Sequence, residues 1–202
     1  MSKYSVSFTA GALLYEESVQ IIPLLLCQDE EGINTEIKTG TLTGINAETS
    51  RKRKVFEIRK RFKAVDEGIW KAFLTATGTA QKVILYYACL KAYQMLQDFH
   101  IEVILEKLKR FDLELTREDY FSFLFNKSDK HPEILEWTDS TQSKMISMAK
   151  LMLKEAGILD NKKLQQVYLP NSFWEIFANL GELWFLEAMF LSIDEIKDLV
   201  NR

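Results

Sequence analysis

Eight cationic side chains fall within thirteen positions of this sequence: Arg51, Lys52, Arg53, Lys54, Arg59, Lys60, Arg61 and Lys63, with Glu57 the single acid among them. Lysine and arginine at this density offer one chemistry, the neutralisation of a polyanion. The 202-residue chain carries a net charge of −3, so the remainder, with 18 basic against 28 acidic residues, is acidic and the positive potential is confined to one short element. Nucleic acid is the commonest partner of such a patch.

The element that must hold these residues reads as a helix, because Val55, Ile58, Phe62 and Val65 recur at spacings of three and four and make a narrow apolar stripe. Thr49 or Ser50 is the expected N-cap. On that wheel Lys52, Phe56, Arg59 and Lys63 line one flank, and Arg53, Lys54, Lys60 and Arg61 spread over the back. Four cations in the first turn oppose the helix dipole at a cost of roughly 0.3 to 1 kcal/mol each, so folding alone does not favour them there. A phosphate docked at the helix start reverses that sign, since free backbone N–H groups and the arginines then face one anion. A merely solvated basic face is the ordinary explanation of a charge run; here density and dipole polarity favour nucleic acid. The expected contacts are Ser50, Arg51, Lys52, Arg53, Lys54, Arg59, Lys60, Arg61 and Lys63.

Composition narrows the alternatives. Hydrophobic content of 47% and charged content of 27% are those of a globular chain, and eight glycines with three prolines suit long helices better than a many-turned sandwich. Cys27 and Cys89 cannot build a disulfide framework, and with only His100 and His131 no zinc constellation is expected. This usage fits a reducing cytoplasm. The strongest apolar stretch, residues 83–90, falls far short of the ~20 residues of a membrane span. A Gly-rich phosphate loop and a Gly-x-Ser-x-Gly elbow are both missing, so the chain reads as non-enzymatic, without cofactor or metal.

The expected fold is all-α in two packed helical lobes, residues 1–78 and 79–202, divided near Gly78. Residues 4–9 alternate in a short strand-like pattern and lead into a helix over about 10–27 that Pro23 should kink. A turn-rich connector over 29–46 includes a short helix near Thr35. Helix, short helix and basic helix follow one another as in a helix-turn-helix unit. A long buried helix is expected over about 80–99, and Thr116 with Asp119 forms a capping box for a helix through about Phe125. The aromatics Tyr120, Phe121, Phe123 and Phe125 read as core packing rather than a base-stacking platform. Ser140 or Thr141 caps a helix ending at Ala156, with Gly157 as its C′ residue. The stretch 158–169 then has the composition of a small hairpin. A helix followed by a hairpin resembles a winged helix, with Lys144, Lys150 and Lys154 as phosphate contacts, the plainer reading being a capped core helix with a surface loop. Asn171 caps a further helix, Gly181 breaks it, and Ser192 with Glu195 makes a second capping box.

Several of these stretches together resemble the BrxA family of BREX bacteriophage-exclusion systems. The likeness is carried by Phe8-Thr9-Ala10-Gly11-Ala12-Leu13-Leu14 with Glu17-Ser18, the basic helix from Thr49 to Phe62, and Gln97-Asp98-Phe99. It continues in Thr138-Asp139-Ser140-Thr141 with Lys144, in Leu153-Lys154-Glu155-Ala156-Gly157-Ile158-Leu159, and in Leu186-Glu187-Ala188-Met189-Phe190-Leu191-Ser192. Order and spacing carry the weight. The resemblance implies a small all-helical phage-defence protein that binds double-stranded DNA, other BREX proteins as partners, and a likeness to NusB-type RNA-binding domains. An RNA-binding protein and an adaptor that docks an acidic protein partner are the alternatives.

Overall fold

The computed structural model describes residues 3–201. Helices α1 (Tyr15–Leu26), α2 (Glu30–Thr39) and α3 (Glu48–Lys63) pack on one another, and α4 (Glu67–Thr75) leads into α5 (Thr79–Ala92). Every residue of 83–90 in α5 is buried, as a helix with no polar face demands. Tyr93 takes an extended conformation and ends that helix, so the run expected over 80–99 is two helices. The second is continuous over 94–109, formed by α6 (Gln94–Phe99), a π-helical segment (His100–Leu105) and α7 (Glu106–Lys109).

Helix α8 (Arg117–Lys127) starts at the expected Thr116/Asp119 capping box. Helix α9 (Asp139–Glu155) is capped by Thr138 rather than Ser140 or Thr141, and Gly157 follows it at φ 78°. That left-handed position is nearly free for glycine and strained for other residues. Strands β1 (Leu159–Asp160) and β2 (Lys163–Leu164) form the hairpin, paired Leu159 to Leu164 and Asp160 to Lys163. Helices α10 (Asn171–Asn179), α11 (Leu183–Ala188) and α12 (Ile193–Val200) close the chain, with Gly181 at φ 74° and the Ser192/Glu195 capping box as expected. The architecture is all-α apart from the hairpin.

The N-terminus departs from the sequence pattern. Residues 4–9 are not a strand: Tyr4 and Phe8 take the buried positions and Ser7–Ala10 forms a 3-10 turn. The following helix starts at Tyr15 instead of residue 10, because the carbonyls of Gly11, Ala12 and Leu13 are bound by Arg61 and the Leu13 N–H by Glu155 at 2.8 Å. This irregular segment ties α3 to the end of α9. One continuous apolar core reaches from Tyr4 to Leu199; α4 packs on α10, and the 3-10 turn packs on α9.

Candidate nucleic-acid interface

The basic run does fold as helix α3, but its cations are mostly committed inside the molecule. Arg51 sits in register with Val55, Ile58 and Phe62 and is 5% exposed. Its guanidinium donates to the carbonyls of Ile37 (2.7 Å), Lys38 (2.6 Å), Ile45 and Asn46 (2.8 Å), winding the connector after α2 around itself. Gly40 makes this possible at φ 69°, where a Cβ would come within 2.8 Å of the Ile45 carbonyl. Arg61 is 2% exposed and pairs with buried Glu57 at 2.8 Å, while Glu57 also accepts from the Tyr93 hydroxyl. Neither arginine can reach a phosphate.

Other members of the run are held more loosely. Lys54 pairs with Glu17 and Arg59 with Glu30, each at 2.5 Å. Lys60 donates to Ser7 Oγ at 3.0 Å and lies 4.1 Å from the Tyr93 ring centroid, so it does not stand free on the back of the helix. Burial there lowers its pKa. Lys52 makes an exposed pair with Glu48 at 2.6 Å, and only Arg53 and Lys63 are exposed with no partner among the described residues. Ser50 is half-buried in the first turn and caps nothing; the N-cap is Ala47, whose side chain makes no capping bond. With Arg51 and Arg61 turned inward, the dense patch expected on α3 reduces to a thin strip beside an exposed Phe56.

The second set of lysines has a different setting. Phe99 of helix 94–109 stacks on Tyr120 of α8 at 4.5 Å and meets Phe123 at 5.2 Å, and Met145, Ile146 and Ala149 of α9 line the same apolar cleft, while α9 also packs on α5 and the N-terminal 3-10 turn. Residues 113–115 join the hairpin as a third extended segment: Leu115 N donates to Lys162 O and Leu164 N to Leu113 O, both at 2.8 Å. The chain order is therefore helix, extended segment, helix, helix, hairpin, with β2 between the segment 113–115 and β1. This is the connectivity of a winged helix, with α9 in the place of the groove-reading helix. The link between α8 and α9 includes a 3-10 segment (Pro132–Glu136) and is longer than the usual three- or four-residue turn.

On this unit Lys144 and Lys154 are exposed and Lys150 is half-buried on α9, and Lys163 is exposed on the hairpin; none has a partner among the described residues. Arg117, at the start of α8, touches Ser143 Oγ at 3.3 Å, and Lys162 at the hairpin turn stands 3.8 Å from Glu114. Arg117, Lys162 and Lys163 escaped the sequence reading, although the stretch Asp160-Asn161-Lys162-Lys163 is a turn loaded with charge. Half of the α8 aromatics are core, Tyr120 and Phe123, whereas Phe121 is 37% and Phe125 78% exposed, and the Arg117 guanidinium lies 5.1 Å from the Phe121 centroid.

Among the described residues no group of histidine, cysteine, aspartate and glutamate could hold a metal ion, and no helix is long and apolar enough to cross a membrane. Fold and site together define a small all-helical protein with one short hairpin, beside which several cations are exposed. The family model for BrxA matches residues 2–181, and the chain belongs to the BrxA family.

Its relatives include the BREX protein BrxA of Escherichia coli O9:H4 (strain HS), 26% identical over 85% of this chain and 83% of that protein. Another is the BREX protein BrxA of Paramagnetospirillum magneticum, 23% identical over 89% and 91%. The BREX protein BrxA of Bacillus cereus (strain H3081.97) is 27% identical over 59% and 60%. The fold matches the crystal structure of an uncharacterized protein from Magnetospirillum magneticum with a TM-score of 0.79, 20% identity, and coverage of 93% of this chain and 98% of that one.

Proposed function

We propose that this protein is a non-enzymatic, double-stranded-DNA-binding accessory subunit of a BREX-type phage-exclusion system, and that its DNA face is the winged-helix unit around α9. The observation that carries this reading is the contrast in availability. Lys144, Lys150, Lys154 and Lys163 have no partner among the described residues, and they lie on the helix and hairpin that follow one another in a winged-helix order. Such cations supply salt-dependent phosphate affinity, and their number sets the slope of that dependence. Four to six phosphate contacts correspond to a fall of log affinity against log salt with a slope of roughly −4 to −5.

A second reading has one observation in its favour. Phe121 is exposed beside Arg117 and Phe125 is exposed one turn further along α8, aromatic and guanidinium surfaces of the kind on which unstacked bases of single-stranded RNA rest. Titration of duplex DNA, single-stranded DNA and RNA at several salt concentrations separates the readings. Tightest binding to duplex with the stated slope supports the first, a preference for RNA that Phe125→Ala removes supports the second, and a slope near zero for every nucleic acid removes both. In that last case a protein-docking adaptor in the defence complex is what remains.

A further inference from the structure

Between the start of α8, the middle of α9 and the hairpin turn lies a groove of ≈ 1200 Å³ including its open mouth. Arg117, Lys150 and Lys162 line it from the three elements, with the hydroxyls of Ser143 and Ser147 one helical turn apart on α9 and Tyr120 in its wall. Tyr120 is 95% buried, and its hydroxyl is the one buried side-chain polar atom without a hydrogen-bond partner among the described residues. An orphaned buried hydroxyl is destabilising, and a ligand acceptor in the groove would relieve that cost. Three cations line this place against one lining carboxylate, Glu118, which is exposed, with Glu114 standing 3.8 Å from Lys162.

From this juxtaposition we infer that the groove is a binding pocket for a phosphate group, seated among Arg117, Lys150, Lys162 and the two serines, with an oxygen reaching the Tyr120 hydroxyl through a small adjustment of the wall. The non-bridging oxygens of a phosphodiester are acceptors only, and every group named here can donate to them. On the nucleic-acid reading above, from which this pocket takes its ligand, the phosphate is a backbone phosphodiester next to the groove that α9 enters. Contacts of that kind fix the register of a protein on a duplex without reading its sequence.

The test uses the full chain and its backbone amide resonances, titrated with inorganic phosphate at constant ionic strength balanced by chloride, then with a short duplex DNA and with a nucleoside monophosphate. Saturable shifts at Arg117, Ser143, Ser147 and Lys150 are expected, weakened at least threefold in Tyr120→Phe and at least tenfold in Lys150→Gln/Lys162→Gln. Tyr120→Phe should also leave the melting temperature of the free protein unchanged or raised while reducing the rise that a given phosphate concentration causes, which a merely structural tyrosine would not do. Non-saturating shifts that are equal in all three proteins overturn the pocket. If duplex binds while the groove amides stay silent, the pocket falls and the DNA reading stands. If the duplex does not bind but phosphate or the nucleotide saturates the groove, the pocket stands with a small ligand and the DNA reading falls.

Discussion

Helices α3 and α9 carry lysines and arginines to opposite ends. In α3 eight cations are packed together, and the fold consumes most of them: Arg51 winds a connector, Arg61 ties down the N-terminal segment, and Lys54 and Arg59 reach carboxylates of α1 and α2. In α9 three widely spaced lysines stand without partners among the described residues, beside a hairpin that adds Lys163 and, 3.8 Å from Glu114, Lys162. Density in sequence and availability in space are thus different quantities. Only the second makes contact with a polyanion, because a buried guanidinium already bonded to carbonyls has no donors left to give a phosphate.

The largest expected effect tests the structural half of this contrast. Replacing Arg61 by Met leaves Glu57 buried without its partner and frees the carbonyls of residues 11–13, so unfolding free energy should drop by about 3 to 5 kcal/mol in chemical denaturation. A loss below about 1 kcal/mol would mean that Arg61 is not a structural tie and that α3 keeps its charge for a ligand.

The next effect belongs to the winged unit. His100, in the π-helical segment, bonds the Tyr86 hydroxyl and the Ala188 carbonyl at 2.6 Å each, and burial pushes its pKa down to about 4. The folded value lies below the unfolded one of about 6.5, so the neutral ring's contribution is complete above pH 6.5 and is lost as pH falls toward 4. A shift of this size corresponds to about 3 kcal/mol. The stability difference between wild type and His100→Gln should therefore shrink across that window; a difference independent of pH would show that His100 is not buried neutral.

Binding effects are smaller in free energy and more telling. Lys144→Glu with Lys163→Glu should lower duplex affinity at least tenfold, about 1.4 kcal/mol, for every sequence alike, and flatten the salt slope by about two. Stability should stay within ~0.5 kcal/mol, since both side chains are exposed. Unchanged affinity would move the interface off this face.

Much of the scaffold was readable because its signals are local. The capping boxes at Thr116/Asp119 and Ser192/Glu195, the glycine after α9 and the polar turn between two apolar pairs each act over a few residues, and each is realised. The site was less readable because burial of a charge is decided by distant chain. Arg51 betrays itself, since the sequence 51, 55, 58, 62 is one unbroken helical stripe and an arginine inside such a stripe points to the core. Arg61 carries no such mark. Its side of α3 is closed by residues 11–13, which lie some fifty positions away and have no periodicity of their own. The third extended segment, 113–115, was hidden for the same reason: its two bonds go to residues 162 and 164.

The smallest expected effect is also the one best placed to reverse the comparison. Among the described residues Arg53 and Lys63 are the α3 cations left exposed and unpaired, with Lys52 exposed but paired to Glu48 on the same helix. Changing both to Glu alters the long-range field but removes no contact that the winged face would make, so duplex affinity should fall by less than about threefold at physiological salt, where the screening length is about 8 Å. At low salt the loss should grow, because a field effect is screened and a direct phosphate contact is lost at any salt at which binding is measured. Stability again should move within ~0.5 kcal/mol. Should this pair abolish binding while Lys144→Glu with Lys163→Glu is silent, the thin strip of α3 is the DNA-facing element after all, and two or three cations beside Phe56 outweigh the whole winged face.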